Sequence, residues 1–188
     1  VGVRLFHALL ICFLLLIILA VGGVGYFAKV IIDDAPTITP DNVRPKGFSS
    51  FVYAEADGSL LEKFSDADAN RIYQTIDALP DYFGKAFVAV EDERFYQHNG
   101  IDPQGILRAG LRTVLSGFRR REGASTLTQQ LIKNNVFPDF LNEATFMDSL
   151  KRKLQEQVLA LSIEKQMSKD EILEAYMNTV NLGQGCYG

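Results

Sequence analysis

Residues 145–167 read TFMDSLKRKLQEQVLALSIEKQM, and this stretch predicts the central helix of the fold. One side carries a stripe of apolar residues at helical spacing, namely Leu150, Leu154, Val158 and Leu161. Leu159 and Ile163 lie on a second face, and a helix that is apolar on two faces is typical of the middle of a helical protein. Arg152 and Glu156 are one turn apart on that second side, so we expect the carboxylate to be paired there. An ordinary ion pair on a helix surface has the same spacing.

Helix-start signals on either side of this stretch extend the helical pattern. Thr145-x-x-Asp148 and Ser168-x-x-Glu171 match capping boxes, which predict the starts of two helices. Further helices are predicted from Asp102-Pro103 to Gly117, from Ser125 or Thr126 onward, and from Leu79 to Asn99-Gly100. The body of the protein is therefore predicted to be mainly α.

The region before these helices predicts a small β element. Residues 51–54 and Leu60-Leu61 flank the turn dipeptide Asp57-Gly58, a pattern that favours a hairpin. The alternation in residues 71–76 predicts one more strand.

An apolar run at the N-terminus predicts one transmembrane helix. Residues 5–28 contain no Asp, Glu, Lys or Arg over 24 positions, and a bilayer core needs about 20 apolar residues. The apolar region of a cleaved signal peptide, at about 7–15 residues, is shorter. Three prolines and a glycine then indicate a linker. We divide the chain into an anchor at 1–32, a linker at 33–50 and a domain at 51–188, which is expected to continue past Gly188.

Composition and charge narrow the classes of function. With 47% hydrophobic residues and a net charge of -4, the 188-residue chain is neither disordered nor a general nucleic-acid binder. Two cysteines and two histidines exclude a disulfide scaffold and a histidine-rich metal centre. The charge is -7 over residues 33–98 and +4 over residues 101–135. That change of sign fits an anion site beside an acid/base group, or a solvated basic face.

Two segments carry candidate chemistry. Glu91 follows the apolar run 87–90, so it can lie at the edge of a buried stripe, where a carboxylate suits a general acid or base. An exposed acidic turn is the ordinary alternative. Residues 123–134, GASTLTQQLIKN, place neutral hydrogen-bonding groups and a lysine at a helix start, which suits sugar or phosphate oxygens. A plain capping segment is the alternative there.

Four motifs in order carry a resemblance to a known family. They are Glu91–Gly100 (EDERFYQHNG), residues 123–134, Arg152–Glu156 (RKLQE) and Lys169–Asn178 (KDEILEAYMN). From about Phe51 to Gly188 the chain resembles the peptidoglycan glycosyltransferase domain of class A penicillin-binding proteins and of monofunctional transglycosylases. Seventeen residues separate Asn134 from Arg152, more than in many relatives.

The resemblance implies a lysozyme-like, mainly helical fold and an inverting glycosyl transfer. The family joins a growing glycan chain, linked to polyprenyl pyrophosphate, to the 4-hydroxyl of lipid II. It implies a bacterial protein with a single span in the cytoplasmic membrane and its catalytic domain on the outer face. The implied partners are lipid II, the glycan strand, membrane lipids and cell-wall elongation or division proteins. Nucleic acid is not an implied partner.

Roles carry over by position in the motifs. Glu91 matches the catalytic base and Glu156 the second catalytic glutamate. The substrate-binding positions implied are Ser125, Thr126, Gln129, Gln130, Lys133, Asn134, Arg152 and Lys153. Structural roles are implied for Asp92, Phe95, His98, Gly100, Tyr176 and Asn178. A divalent metal, Mg or Mn, could bind at Glu156, and no organic cofactor is implied.

Two further regions resemble lipid-facing parts of the family. Residues 105–118 are amphipathic and cationic, as in an interfacial helix, with a core-packing helix as the alternative. Four apolar residues after Asn134 could contact a lipid tail, namely Phe137, Phe140, Phe146 and Met147. A membrane-anchored lytic muramidase and an inactive cell-wall scaffold are the competing functions.

Overall fold

The computed structural model describes residues 2–64, 71–119, 123–183 and 186–187, and it confirms a mainly helical fold. The helices are α1 (Gly2–Asp33), α2 (Pro40–Val43), α3 (Asp81–Glu91), α4 (Pro103–Leu115), α5 (Leu127–Val136), α6 (Phe146–Ile163) and α7 (Lys169–Met177). Short 3-10 turns cover Ile76–Ala78, Phe95–Gln97 and Pro138–Asn142. The strands are β1 (Ser50–Tyr53), β2 (Leu60–Phe64), β3 (Asn181–Gly183) and β4 (Cys186–Tyr187).

The core lies where α5 packs against both α6 and α7. Leu131, Ile132, Ile163 and Ile172 are fully buried there, and α3 packs on α7 from outside. On α6 the side that carries Leu159 and Ile163 is buried, whereas Leu161 of the other predicted stripe is exposed, so only one of the two predicted apolar faces enters the core. Both predicted capping boxes are present, and they start α6 and α7.

The β element is the predicted hairpin, in which β1 and β2 pair antiparallel. The prediction of a strand at residues 71–76 is wrong. Arg71 forms one isolated bridge to Phe48, and the following residues are instead held by side chains in α7 and at its C-terminal end. Asn178 binds the backbone N–H and C=O of Gln74 at 2.9 and 2.8 Å, and Glu174 accepts from the N–H of Ile76.

The helix predicted from Leu79 to Gly100 ends earlier, at Glu91. Asp92 leaves the helical conformation, and the next turn is a 3-10 turn that puts Phe95 into the core with no exposed surface. Apolar periodicity could not show this break because Phe95 stays apolar and buried on either path.

Helix α1 is long and apolar enough, by length and composition, to cross a membrane. Its last turn packs on α6: the side-chain amide of Gln155 donates to the carbonyl of Ile31 at 3.0 Å. Next to it, Lys151 pairs with Asp34 at 2.5 Å.

Candidate functional site

A cleft of about 610 Å³ lies between the end of α3, the face of α4 and the start of α5. Six residues singled out from the sequence line it, namely Glu91, Asp92, Ser125, Thr126, Gln130 and Lys133. Motifs that begin 32 residues apart in sequence therefore meet at one cavity, with a carboxylate and an amine on its walls.

Glu91 is the last residue of α3, and its side chain is exposed in the cleft. Of the two alternatives from the sequence, the edge of a buried stripe is wrong and the exposed position is confirmed, because the cavity opens where α3 ends. Its Oε2 accepts a hydrogen bond from the side-chain amide of Gln130 at 2.9 Å. The carboxylate is thus both held in one orientation and open to a ligand.

Tyr176 fixes the amide that orients Glu91. Its hydroxyl donates to Oε1 of Gln130 at 3.2 Å, so the amide nitrogen must point towards Glu91. Burial, followed by the nearby negative charge of Glu91, raises the pKa of Tyr176 to about 12. The hydroxyl therefore keeps its proton at neutral pH and remains a donor.

Asp92 and His98 form a buried pair beneath the cleft. The N–H of Gly100 donates to Nδ1 of His98 at 3.2 Å, which leaves the ring proton on Nε2 to donate to Asp92 at 3.0 Å. Asp92 also accepts from the backbone N–H of Leu127 at 3.0 Å. This network joins the end of α3 to the first turn of α5, the two elements that carry Glu91 and Gln130.

Thr126 and Gln129 are buried, and their hydrogen bonds stay within the protein. The Thr126 hydroxyl donates to the carbonyl of Gly100 at 2.8 Å and accepts from the N–H of Gln129, so it caps α5. The Gln129 amide donates to the same carbonyl at 3.3 Å. These hydrogen bonds fix the start of α5. Thr126 also lines the cleft, whereas Gln129 does not, and the substrate contacts that the resemblance implies for both residues stay a prediction. Asn134 is half-buried and does not line the cleft.

Gly100 lies against the backbone of α6. Its φ is +89°, and a Cβ at this position would lie 2.8 Å from the carbonyl carbon and oxygen of Ala160. A glycine is therefore required both by backbone conformation and by the close approach of two main chains.

Lys133, Arg152 and Lys153, which we call the cation cluster, adjoin the cleft, the last of them through a hydrogen bond to Ser125. Lys153 donates from Nζ to Ser125 Oγ and to Glu156 Oε2, each at 2.8 Å. Glu156 has no exposed surface, and Arg152 binds its other oxygen. The predicted pairing of this carboxylate is confirmed. The ring of Phe140 lies 4.6 Å from Nζ of Lys133, so it packs on the cluster.

The site also brings together three residues that were not chosen as site residues from the sequence, although two of them belong to the basic stretch at 101–135 for which an anion site was one of the two predictions. Arg108 and Arg112 line the cleft from α4, and Arg108 pairs with Glu93. Their signal was the four-residue spacing inside the basic stretch, whose Arg120 and Arg121 lie outside the described residues. Glu143 binds Arg152 through two hydrogen bonds. Nothing in the local pattern marked Glu143.

The described residues hold no group of three or more His, Cys, Asp or Glu side chains arranged for a metal ion. Both oxygens of Glu156 already accept from cations, so its surroundings do not fit a divalent metal. Dependence on Mg or Mn remains a prediction.

The arrangement can therefore remove a proton and stabilise an anion. An oriented, accessible carboxylate lies on one wall, and a lysine with a neighbouring lysine–arginine pair lies on the other. A group transfer in which a hydroxyl attacks and an anion leaves needs these two kinds of group.

Known proteins are similar in sequence to this chain over nearly its full length. A family model described as Transglycosylase matches residues 57–188. Penicillin-binding protein 1A of Clostridium perfringens (strain 13) is 39% identical over 178 residues, which is 93% of this chain and 25% of that protein. The Escherichia coli protein of the same name is 38% identical over 99% of this chain. Penicillin-binding protein 1A/1B of Bacillus subtilis is 36% identical over 98% of this chain. The chain spans 20% and 19% of those two relatives.

Proposed function

Because the chain belongs to the transglycosylase family of the class A penicillin-binding proteins, we propose that it polymerises lipid II into peptidoglycan glycan strands. The observation that carries the proposal is the meeting of Glu91 and Lys133 at one cleft, with Lys153 joined to it through Ser125. A lytic muramidase needs the carboxylate but has no use for a cluster of cations beside it.

Glu91 is the proposed general base. It takes the proton from the 4-hydroxyl of the acceptor sugar while that oxygen attacks the anomeric carbon of the growing chain. The hydrogen bond from Gln130 keeps one carboxylate oxygen in place, and the exposed position leaves the other free for the hydroxyl. Attack on an α-linked sugar from the opposite face gives the β-1,4 bond.

Lys133, Arg152 and Lys153 are the proposed partners of the leaving group. The bond between the sugar and the polyprenyl pyrophosphate breaks with its electron pair on the phosphate oxygen. That group leaves as an anion, so it needs positive charge near it more than it needs a proton. Fully buried Glu156 holds Arg152 and Lys153 in place and completes the proposed site.

The proposed location is the bacterial cytoplasmic membrane, with α1 as a single-pass anchor and the cleft on the outer face. The exposed apolar face of α4, which includes Leu107 and Leu111, supports contact with membrane lipids. Cell-wall elongation or division proteins are proposed partners on the same basis of family.

The test is polymerisation of lipid II by the protein in detergent, with Glu91→Gln compared with Glu55→Gln. Glu55 is exposed in the turn of the β1–β2 hairpin, outside the cleft. We expect Glu91→Gln to lower the rate by about 100-fold or more, and Glu55→Gln to leave it unchanged. Equal rates for the unchanged protein and Glu91→Gln would contradict the proposal. Release of muropeptides from purified cell wall would favour the muramidase instead.

A further inference from the structure

Arg152 is held by two carboxylates, and they differ in how firmly the fold fixes them. Glu143 accepts from Nε at 2.5 Å and from Nη2 at 3.1 Å, while Glu156 accepts from Nη1. Glu156 lies in the middle of α6 and is bound on both oxygens. Glu143 lies on the connection between α5 and α6, outside regular secondary structure. Of the two, Glu143 is the partner that can be exchanged without distorting a helix.

The segment that carries Glu143 covers the cation cluster. The ring of Phe140, in the preceding 3-10 turn, lies 4.6 Å from Nζ of Lys133 and 5.7 Å from Cζ of Arg152. Ser149 donates from Oγ to Oε2 of Glu143 at 2.6 Å. The hydrogen bonds from Arg152 and then from Ser149 lower the pKa of Glu143, so it carries a full negative charge at neutral pH.

A carboxylate and a phosphate group use the same two-pronged geometry on a guanidinium. Glu143 therefore occupies the donors of Arg152 that a phosphate group would take. It also lowers the attraction of the cluster for anions, since three cations are opposed by Glu143 and Glu156 and the formal charge is only +1.

We propose that Glu143 is an internal competitor for the anion site, whose carboxylate occupies Arg152 until a pyrophosphate group displaces it. The inference rests on the proposed function, because it takes the pyrophosphate-linked substrate as the ligand. Glu143 then sets how strongly the site holds the substrate, and its return to Arg152 helps the pyrophosphate product to leave.

The experiment is calorimetric titration of the full chain in detergent with inorganic pyrophosphate at one fixed salt concentration. We expect Glu143→Gln to lower the dissociation constant about two- to fivefold, the range that one partly exposed charge pair supports. Ser149→Ala loosens the hold on Glu143, so its dissociation constant should fall by a smaller factor. Asp139→Asn is the matched control. Asp139 has the same charge on the same segment, and it makes no ion pair within the described part of the chain.

An unchanged or higher dissociation constant in Glu143→Gln, with wild-type thermal stability, would overturn the inference and make Glu143 a support for Arg152. If Glu143→Gln does not fold, Ser149→Ala decides by the same criterion. Absence of pyrophosphate binding in every variant also overturns it. The titration needs no turnover, so a failure to polymerise lipid II, which would count against the proposed function, leaves this comparison intact.

Discussion

At the scale of single residues, the contact between Gly100 and Ala160 makes a sharp prediction. Gly100→Ala places a methyl group 2.8 Å from backbone atoms of α6 at a φ of +89°. We expect it to lower the free energy of unfolding by about 2–5 kcal/mol, from backbone strain and overpacking together. Gly117→Ala is the control, since its φ is +62° and nothing lies within 4 Å of the added Cβ. Its cost should be about 1–2 kcal/mol.

Thermal unfolding of both variants in the same detergent measures this difference. Equal losses for Gly100→Ala and Gly117→Ala would mean that positive φ alone sets the cost and that the contact with α6 is unimportant.

Sequence reasoning about single residues succeeded where the partner is near in the chain. The pairing of Glu156 with Arg152 followed from a four-residue spacing on one helix. The place of Gly100 depends on Ala160, and the pairing of Glu143 depends on how the nine-residue connection at 137–145 leads into α6. Neither contact has a local pattern, so neither could be predicted.

At the scale of elements, α4 presents three different faces. Ala109 is buried, and Arg108 and Arg112, with the buried Gly105, line the cleft. The remaining apolar side chains are exposed, with Leu111 at 55% and Leu115 at 84%. The alternative of a helix packed into the core by its apolar stripe is therefore wrong, and we expect that stripe to enter the head-group layer.

A single tryptophan tests this orientation, because the chain contains none. In vesicles with brominated lipids, the fluorescence of Leu111→Trp should be quenched strongly. Arg112→Trp, on the cleft side of the same helix, should be quenched several-fold less. Similar quenching at both positions would contradict the predicted orientation of α4.

Element prediction depended on whether the signal was local. The capping boxes that start α6 and α7 use side chains three residues apart, and both are present. The strand predicted at residues 71–76 is absent because the hydrogen bonds of this segment come from Glu174 and Asn178, about 100 residues later. Alternation shows which residues are apolar, but it does not show which groups bind the backbone.

At the scale of the whole molecule, the partly buried ion pair between Arg94 and Asp102 predicts how stability depends on pH. Burial raises the pKa of Asp102, but the hydrogen bonds from Arg94 and from the N–H of Gly105 outweigh it, so the pKa lies below 3.8. Because the folded pKa is the lower one, the stabilisation is present above pH 3.8 and is lost as the pH falls through the folded value.

We therefore expect the thermal midpoint to stay nearly constant between about pH 5.5 and 7. It should decrease when the pH is lowered below about 4. Asp102→Asn keeps a good cap for α4 but removes the charge that pairs with Arg94. Its midpoint should be lower at neutral pH and change less on acidification. A variant whose midpoint follows the unchanged protein at every pH would show that the pair contributes nothing.

The contact between α1 and α6 has a consequence for how a lipid-linked molecule reaches the site. Lys151 and Gln155 hold the last turn of α1, and Arg152 and Lys153 lie between them on the same stretch of α6, within about 6 Å along its axis. If α1 spans the membrane as proposed, a ligand whose tail stays in the bilayer presents its head group near these cations. Such a ligand would arrive by lateral diffusion in two dimensions, and its density per membrane area, rather than its bulk concentration, would govern how often the cleft is filled.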